Sequence, residues 1–398
     1  MSKMHPSQRL MSIVDNRLNG SRVILCISGS IAAIECVKLA RQLIRHGAEV
    51  IPVMTEAATK ILTPEAVRFA CGIRPITELT GDVEHLTVFS EQKKTVVLVA
   101  PATADVISKI SVAIADDALT TVCLNALGLG VPLLISPAMG KSMLANPFLV
   151  RNMERLRRQG VMVLPTVIEE GEAKMIDGAT IVEHVARLLS RGMLKGRQVL
   201  VVGGASEEAI DDFRLVSSRS SGRTALEIAS FAFEEKANVQ FWCGRVTAEV
   251  PCFIKCTPFE SVTGLIERLK GKKFDIVIVP ASLADFIPPK TKGKISSSKG
   301  GFSLDMKPAP KFIEEVRGKC KVLVAFKAEV GEESQIIARA TKRLKETGAD
   351  IIVANNISEV STDETRAHII TKEGVETFKG EKRGLAEAIV RKIVSISK

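Results

Sequence analysis

The chain has no tyrosine, a single tryptophan and only 4% aromatic residues. Proteins that bind single-stranded nucleic acid stack bases on aromatics set among basic stripes. The net charge of +10 comes from scattered lysines and arginines, so it reads as solubility or as attraction for small anionic substrates, and no nucleic-acid partner is expected. No apolar run approaches the ~20 residues that a membrane-spanning helix needs, so no membrane partner is expected either. The opening segment MSKMHPSQRLMSIVDNRLNG is polar and mixed. It lacks the apolar core of a secretory signal and reads as a short helical or frayed lead-in to a cytoplasmic protein. The cysteines at 26, 36, 71, 123, 243, 252, 256 and 320 form no C-x-x-C pair. Cys252 and Cys256 make a C-x3-C pair with no histidine nearby, so zinc is not expected; reduced, mostly buried thiols are.

What is present is one strand–loop–helix plan, written twice. RVILCISGSIAAIECVKLARQLIRHGAEVIPVMT starts at Arg22, and RQVLVVGGASEEAIDDF, leading to SSGRTALEIASFAFEEKANVQFWCG, starts at Arg197. Each copy opens on an apolar strand, breaks at glycine, enters a helix and returns to a strand. A second echo follows: Val97–Asp105 reads VLVAPATAD and Val277–Asp285 reads VIVPASLAD. The fold class that explains this is α/β, two doubly wound Rossmann-like domains, each with its working loops at the C-terminal ends of its strands. The basic stretch RLLSRGMLKGRQ at 187–198 ends one periodic pattern, which gives domains at 20–190 and 195–398.

In the first half, a helix over 31–46 would bury Ile31, Ile34, Val37 and Ile44 and turn Lys38, Arg41 and Arg45 to solvent. Gly47 would end it, where a positive φ is least costly for glycine. Thr95–Ala100 reads as a central strand. Helices follow at 104–114 and 116–126, then a strand at 131–136, and helices at 146–159 and 179–190. In the second half strands and helices alternate from 198 to 354, which implies a mostly parallel sheet covered on both faces. Pro288–Ser303, PPKTKGKISSSKGGFS, has little to bury and reads as a mobile loop.

The segment CISGSIAA (26–33) puts small residues between a strand and a helix, where backbone N–H groups approach a phosphate. It is not G-x-G-x-x-G, so the usual dinucleotide fingerprint is absent. APATAD (100–105) and SPAM (136–139) end strands on the same sheet edge, which brings His85, in GDVEHLTVFS, into the functional reading. In the second half, VVGGASEEAIDDF and SSRSSGRTALEIA present glycines and serines at a helix entry, and Asp285 sits where Asp105 sits in the first half. An acidic residue there can hold a base, a ribose or Mg2+.

GSIAA, the EHL histidine, APATAD, ADDALTT and PAM occur in this order in the flavin-dependent cysteine decarboxylases, which the first half resembles. The second half, with SSG (220–222), ADF (284–286), KIS (294–296), AFKAE (325–329) and IVANN (352–356), is similar to phosphopantothenate–cysteine ligase. Together they resemble the bifunctional coenzyme A biosynthesis family. The resemblance implies a flavodoxin-like FMN domain followed by a ligase domain. It implies that Gly29, Ser30, Ile31 and Ala32 hold FMN, with Thr55, Thr103, Asp117 and Met139 as further contacts and His85 as catalytic histidine. For the second half it implies ligation of cysteine to 4'-phosphopantothenate through an acyl-nucleotide made from CTP with Mg2+. Lys294 and Ser218 are the catalytic candidates there, and Asp285, Lys294, Pro310, Lys311, Phe326, Lys342, Arg343 and Lys345 the nucleotide candidates. The Mg2+ ligands are not assigned. Trimers of flavin domains and dimers of ligase domains, hence a closed homo-oligomer such as a dodecamer, are implied as well.

The chain departs from the family's pattern. Gly140 stands where an Asn after PAM holds the substrate carboxylate. The stretch EEGEAKM (169–175) lacks the flap cysteine, leaving Glu172, Lys174 or solvent as the proton source, or a reduction step of another kind. Ser218 replaces an Asn, and Arg343 and Thr347 replace lysines, which leaves nucleotide preference open. Two other readings fit the same residues: a different flavin enzyme, such as a prenyltransferase-like flavoprotein with an accessory nucleotide domain, or a non-catalytic flavin-binding regulatory protein.

Overall fold

The computed structural model describes residues 5–89, 93–169, 171–295, 303–356 and 364–397. The chain divides into two compact units, Met1–Ser190 and Arg191–Lys398.

The first unit is built on β1 (Ser21–Ile27), β2 (Glu49–Met54), β3 (Lys94–Ala102), β4 (Leu133–Pro137) and β5 (Met162–Val163). All pairs are parallel, in the order β2-β1-β3-β4-β5. That is the flavodoxin-like winding, whose ligand crevice opens where β1 and β3 send their helices to opposite faces. β1 shows why the sheet is buried on both sides. Val23, Leu25 and Ile27 enter one core cluster, and Ile24 and Cys26 enter the other. Side chains alternate along a strand, so a continuous apolar run fills two layers.

The helix after β1 differs from the expectation. Ile31–Glu35 is a 3-10 turn, and the α-helix proper, α1, is Cys36–Arg45. The tighter first turn rotates the leading isoleucines outward, so Ile31 is 74% exposed and Ile34 51% exposed, while Ile44 is buried. Lys38 reaches solvent. Arg41 and Arg45 are half-buried rather than solvent-facing; Arg41 lies over the Phe69 ring at 5.7 Å. Gly47 does follow α1, with φ +98°. The lead-in is not frayed among its described residues. Ser12, Val14 and Leu18 donate backbone N–H groups to the carbonyls of Ile44, Arg45 and His46. Asp15 accepts from Arg17 at 2.7 Å and contacts His46 at 2.9 Å.

Other helices of this unit include α2 (Ala104–Ser111), α3 (Ala118–Gly128), α4 (Pro147–Arg158) and α5 (Gly178–Leu189). Pro147 opens α4, where its missing N–H has no helical partner to lose. A small antiparallel sheet joins Met139–Gly140 to the hairpin Val167–Glu169/Glu172–Lys174.

The second unit holds β6 (Gln198–Gly203), β7 (Asn238–Cys243), β8 (Cys256–Pro258), β9 (Phe274–Val279), β10 (Cys320–Glu329), β11 (Ile351–Asn356), β12 (Glu364–Ile370) and β13 (Val375–Glu381). The order is β8-β7-β6-β9-β10-β11-β12-β13. The first six in chain order follow the dinucleotide-fold winding, with the switch point between β6 and β9. β12 and β13 then extend the sheet antiparallel. Val199 and Val201 pack on one face, and Leu200 and Val202 on the other. The covering helices include α6 (Arg223–Glu234), α7 (Phe312–Arg317), α8 (Glu333–Thr347) and α9 (Lys382–Ile396). The expectation of reduced thiols fails at one pair. Cys243 and Cys256, at neighbouring positions of β7 and β8, are joined in a disulfide. The mobile-loop reading of Pro288–Ser303 falls partly on residues 296–302, which lie outside the described residues.

Candidate active sites

Parallel pairing puts the ends of β1 to β4 on one edge, so the loops carrying Gly29, Thr55, Thr103 and Met139 are neighbours by topology. Side chains tie them together. Ser28 Oγ donates to the Pro101 carbonyl at 2.7 Å and accepts from the Thr103 N–H at 3.0 Å. The Ala138 N–H donates to the Ala102 carbonyl at 3.0 Å. Gly29 is where the loops touch: a Cβ there would lie 2.5 Å from that of Ala57.

Most of the polar candidates cap helices. Ser30 accepts from Ala32 N–H at 3.4 Å, Thr55 from Ala58 at 3.1 Å and Thr103 from Val106 at 3.4 Å. Asp117 accepts from Thr120 N–H at 2.7 Å and closes a capping box. Asp117 also reaches β1 electrostatically. Burial, then Cys123, then Asp117 push the Cys26 thiol far above its ordinary range, so Cys26 is an inert thiol. Ile31 is exposed, Ala32 and Met139 half-buried.

His85 sits on the single turn Glu84–Thr87, entered through Val83 at φ +48°. A β-branched residue in that region is strained, and the surrounding bonds hold it there. The Glu84 carboxylate accepts from the Thr80 N–H at 2.8 Å and Oγ1 at 2.5 Å. Arg22 Nη1 donates to the Val88 carbonyl at 2.8 Å, and Asn125 Nδ2 donates to the His85 carbonyl at 2.7 Å. The backbone of the turn is thus pinned while the ring is not: His85 Nδ1 is buried without a hydrogen-bond partner among the described residues. A buried unsatisfied nitrogen is costly unless a ligand meets it. Ser136 Oγ, fully buried at the end of β4, is in the same condition. These orphaned atoms and the close approach at Gly29 fit a bound flavin on this edge.

Across the small sheet Gly140 faces Glu172. The Glu172 side chain lies outside the described residues. Lys174, the other proton-source candidate, pairs with Glu169 at 3.0 Å.

The second unit has an open cavity of about 560 Å³ at the β6/β9 switch point. Arg219, Arg223, Lys311, Lys327, Arg343 and Lys382 line it, against the single carboxylate of Asp285. The turn Ser220-Ser221-Gly222 forms one wall. Gly222 has φ +77°, and a Cβ there would meet Val246 at 2.5 Å, so only glycine fits at the entry to α6. Asp285 is bonded to Lys311 at 2.5 Å. Pro310 and Phe326 also line the space, as does Asn355. No group of three or more His, Cys, Asp or Glu that could hold a metal occurs among the described residues.

Not all the second-half candidates gather there. Of Lys342, Arg343 and Lys345, Arg343 lines the cavity, with Thr347 one turn on. Lys342 and Lys345 are exposed, because a helix turns adjacent residues to different faces. Ser218 is half-buried just before the lining residue Arg219 and is not itself part of the lining. Lys294 also lies outside the lining, exposed, with Nζ 5.4 Å from the centre of the Phe213 ring. Arg219, Arg223, Lys327, Asn355 and Lys382 were not among the candidates. The arginines flanking SSG were the available signal for two of them. Lys382 opens α9 at the far end of the chain, and only the fold brings it in.

The Flavoprotein family model matches residues 11–190. The DNA/pantothenate metabolism flavoprotein C-terminal domain matches 194–396. A Coenzyme A biosynthesis bifunctional protein CoaBC of Thermococcus kodakarensis is 38% identical over 97% of this chain and 98% of its own. That of Methanocaldococcus jannaschii is 35% identical over 99% and 98%. Among solved structures, the C-terminal domain of a CoaBC protein aligns at 24% identity with a TM-score of 0.42, covering 52% of this chain and 97% of that one. With both halves matched in order and at nearly full length, this chain belongs to the family of bifunctional coenzyme A biosynthesis proteins, a flavoprotein decarboxylase half followed by a ligase half.

Proposed function

We propose that the second unit joins cysteine to 4'-phosphopantothenate with CTP, and that the first unit decarboxylates the product to 4'-phosphopantetheine with FMN. The observation that carries the ligase reading is the cavity's charge. Among the described residues six cationic side chains line it against one carboxylate; Lys311, Lys327 and Arg343 are paired with Asp285, Glu329 and Glu346, and the lining still carries an excess of positive charge suited to a polyanion. The substrate carboxylate attacks the α-phosphorus and displaces pyrophosphate, and the cysteine amine then attacks the acyl carbon and displaces the nucleoside monophosphate. Lys311, Arg343 and the Ser220–Gly222 amides stabilise the charge that gathers in both steps, Phe326 offers a face to the base, and Lys294 serves the triphosphate from its loop. Mg2+ would ride on the phosphates, since few protein carboxylates are at hand.

In the first unit FMN, when bound, supplies reversible two-electron chemistry beside the carboxylate that leaves. The loops carrying Gly29–Ala32, Thr55, Thr103 and Asp117, where helices begin on the sheet edge, would hold the flavin. His85 holds or moves a proton, the role that histidine most often fills in acid–base catalysis. We read the exposed Ile31, Ile34 and Phe148 as support for association of this unit with further copies, in a trimer-based and possibly dodecameric assembly. No helix among the described residues is long and apolar enough to cross a membrane, and we place the protein in the cytoplasm.

The test is direct. Purified protein given 4'-phosphopantothenate, cysteine, Mg2+ and each of the four nucleoside triphosphates in turn should release pyrophosphate best with CTP, followed by CO2. Equal release with all four would defeat the CTP assignment. No release with any would defeat the ligase reading.

A further inference from the structure

We propose that the hairpin Glu207–Ala209/Leu215–Ser217 is a clasp on the loop that carries Lys294, with Asp212 and Asp211 as positioning residues for that lysine. The inference rests on the reading that Lys294 serves ligation.

The strands of the hairpin pair antiparallel, and its tip is Ile210–Arg214. Five hydrogen bonds join the tip to residues 291–295. The Thr291 N–H donates to the Ile210 carbonyl at 2.9 Å. The Gly293 N–H donates to Asp212 Oδ2 at 2.8 Å, and the Asp212 N–H returns a bond to the Gly293 carbonyl at 3.3 Å. The Ile295 N–H donates to Asp211 Oδ2 at 3.1 Å, and Arg214 Nη1 donates to the Ile295 carbonyl at 3.1 Å. Residues 291, 293 and 295 are therefore all held, and Lys294 is fixed by its neighbours on both sides. Its side chain rests over Phe213, in the same tip.

The clasp is built to stay closed. Asp211 is buried. Burial acts to raise its pKa, but the amides of Ile295, Phe213 and Arg214 and the Arg214 charge outweigh it and hold the carboxyl down at about 2. It is an anion at every working pH, and bonds to an ionised acceptor are the strong ones. The clasp is also rooted in the cavity wall. Ser217 Oγ donates to the Ser206 carbonyl at 2.8 Å, and Ser206 Oγ accepts from the Ala284 N–H at 3.0 Å. Glu208 accepts from the Val262 N–H at 3.0 Å. Ala284 and Val262 both line the cavity. A loop anchored to the wall of a site keeps its lysine within reach and removes part of the search that a free loop would make.

Asp212 is exposed and belongs to no core, so Asp212→Ala tests the idea without threatening the fold. Trypsin cleavage after Lys292 or Lys294, followed by mass spectrometry, should quicken about tenfold as local opening becomes easier. The turnover number for pyrophosphate release should fall about tenfold with KM for 4'-phosphopantothenate nearly unchanged, the signature of lost positioning. Asp212→Asn keeps an acceptor oxygen for Gly293 and should restore most of both. In a Lys294→Gln background Asp212→Ala should cost nothing further, since the two act through one group. An unchanged cleavage rate overturns the clasp. Faster cleavage with undiminished turnover, or an equal loss in the Lys294→Gln background, overturns the positioning role. If Lys294→Gln alone keeps full pyrophosphate release, the reading of Lys294 falls and the positioning role with it, while the cleavage rate still decides the clasp.

Discussion

The two halves solve the same problem with opposite means. Both place their working loops on the C-terminal edge of a parallel sheet. In the first, the hydroxyls and carboxylate of the loops are spent inside the protein as helix caps, at Ser30, Thr55, Thr103 and Asp117. What is left for a ligand among the described residues is the close approach at Gly29 and the unpartnered His85 nitrogen and Ser136 hydroxyl. In the second, the ligand space is lined by charged side chains. The first arrangement suits a resident group held once and kept. The second suits substrates that arrive, react and leave, because long cationic side chains adapt to a changing distribution of charge.

The contrast can be broken by substitution. The largest expected effect is at His85. His85→Asn should lower CO2 release by about 10²- to 10⁴-fold, the usual worth of a positioned acid–base group, and leave pyrophosphate release intact. Loss of both activities would mean that the halves do not divide the chemistry. Next is Gly29→Val. Its new Cβ would sit 2.5 Å from that of Ala57, and flavin affinity should fall about 10- to 100-fold, as overpacking costs of ~1–3 kcal/mol imply. The readout is loss of yellow absorbance on gel filtration, and retention of full colour would refute the crowding argument. In the second half, Arg343→Ala should raise KM for the nucleotide about tenfold, while Lys342→Ala, one residue away on the solvent side, should stay within about twofold. Equal effects would return the whole basic segment to candidacy.

A further test concerns stability rather than activity. Burial, helped by the charge of Arg187 and opposed by that of Glu183, lowers the pKa of His184 in the first unit from 6.5 to about 4. The unfolded chain then takes up the proton first. This contribution is fully present above pH 6.5 and is lost as pH falls toward 4, by at most about 3 kcal/mol. Urea midpoints measured across that window should fall with pH, and His184→Gln should flatten the slope. An unchanged slope in the variant would assign the acid sensitivity to other groups.

The alternation of strands and helices was legible because β1, β3, β6 and β9 are unbroken apolar runs between glycines and polar turns. The two windings were less so, since strand order is set by long-range pairing that no local pattern records. β13 went unseen for a physical reason. Val375–Glu381 is largely exposed and carries none of the alternation that marks a half-buried strand. The outward Ile31 and Ile34 were misjudged because a helical period was run through a 3-10 turn. At the sites, motifs pointed to loops correctly placed on the sheet edge. Which cations face inward depended on helix rotation at Arg343 and on a residue as distant as Lys382.

That distance has a consequence. Thr365, Ala367, Lys382 and Leu385 all border the cavity, so part of its floor is laid by β12 and the terminal helix rather than by the dinucleotide-type core alone. A chain stopped after Ile351–Asn356 would keep every strand of that winding and lose four residues from the border of its cavity. The final stretch of the polypeptide thus closes a basin that the earlier strands leave open.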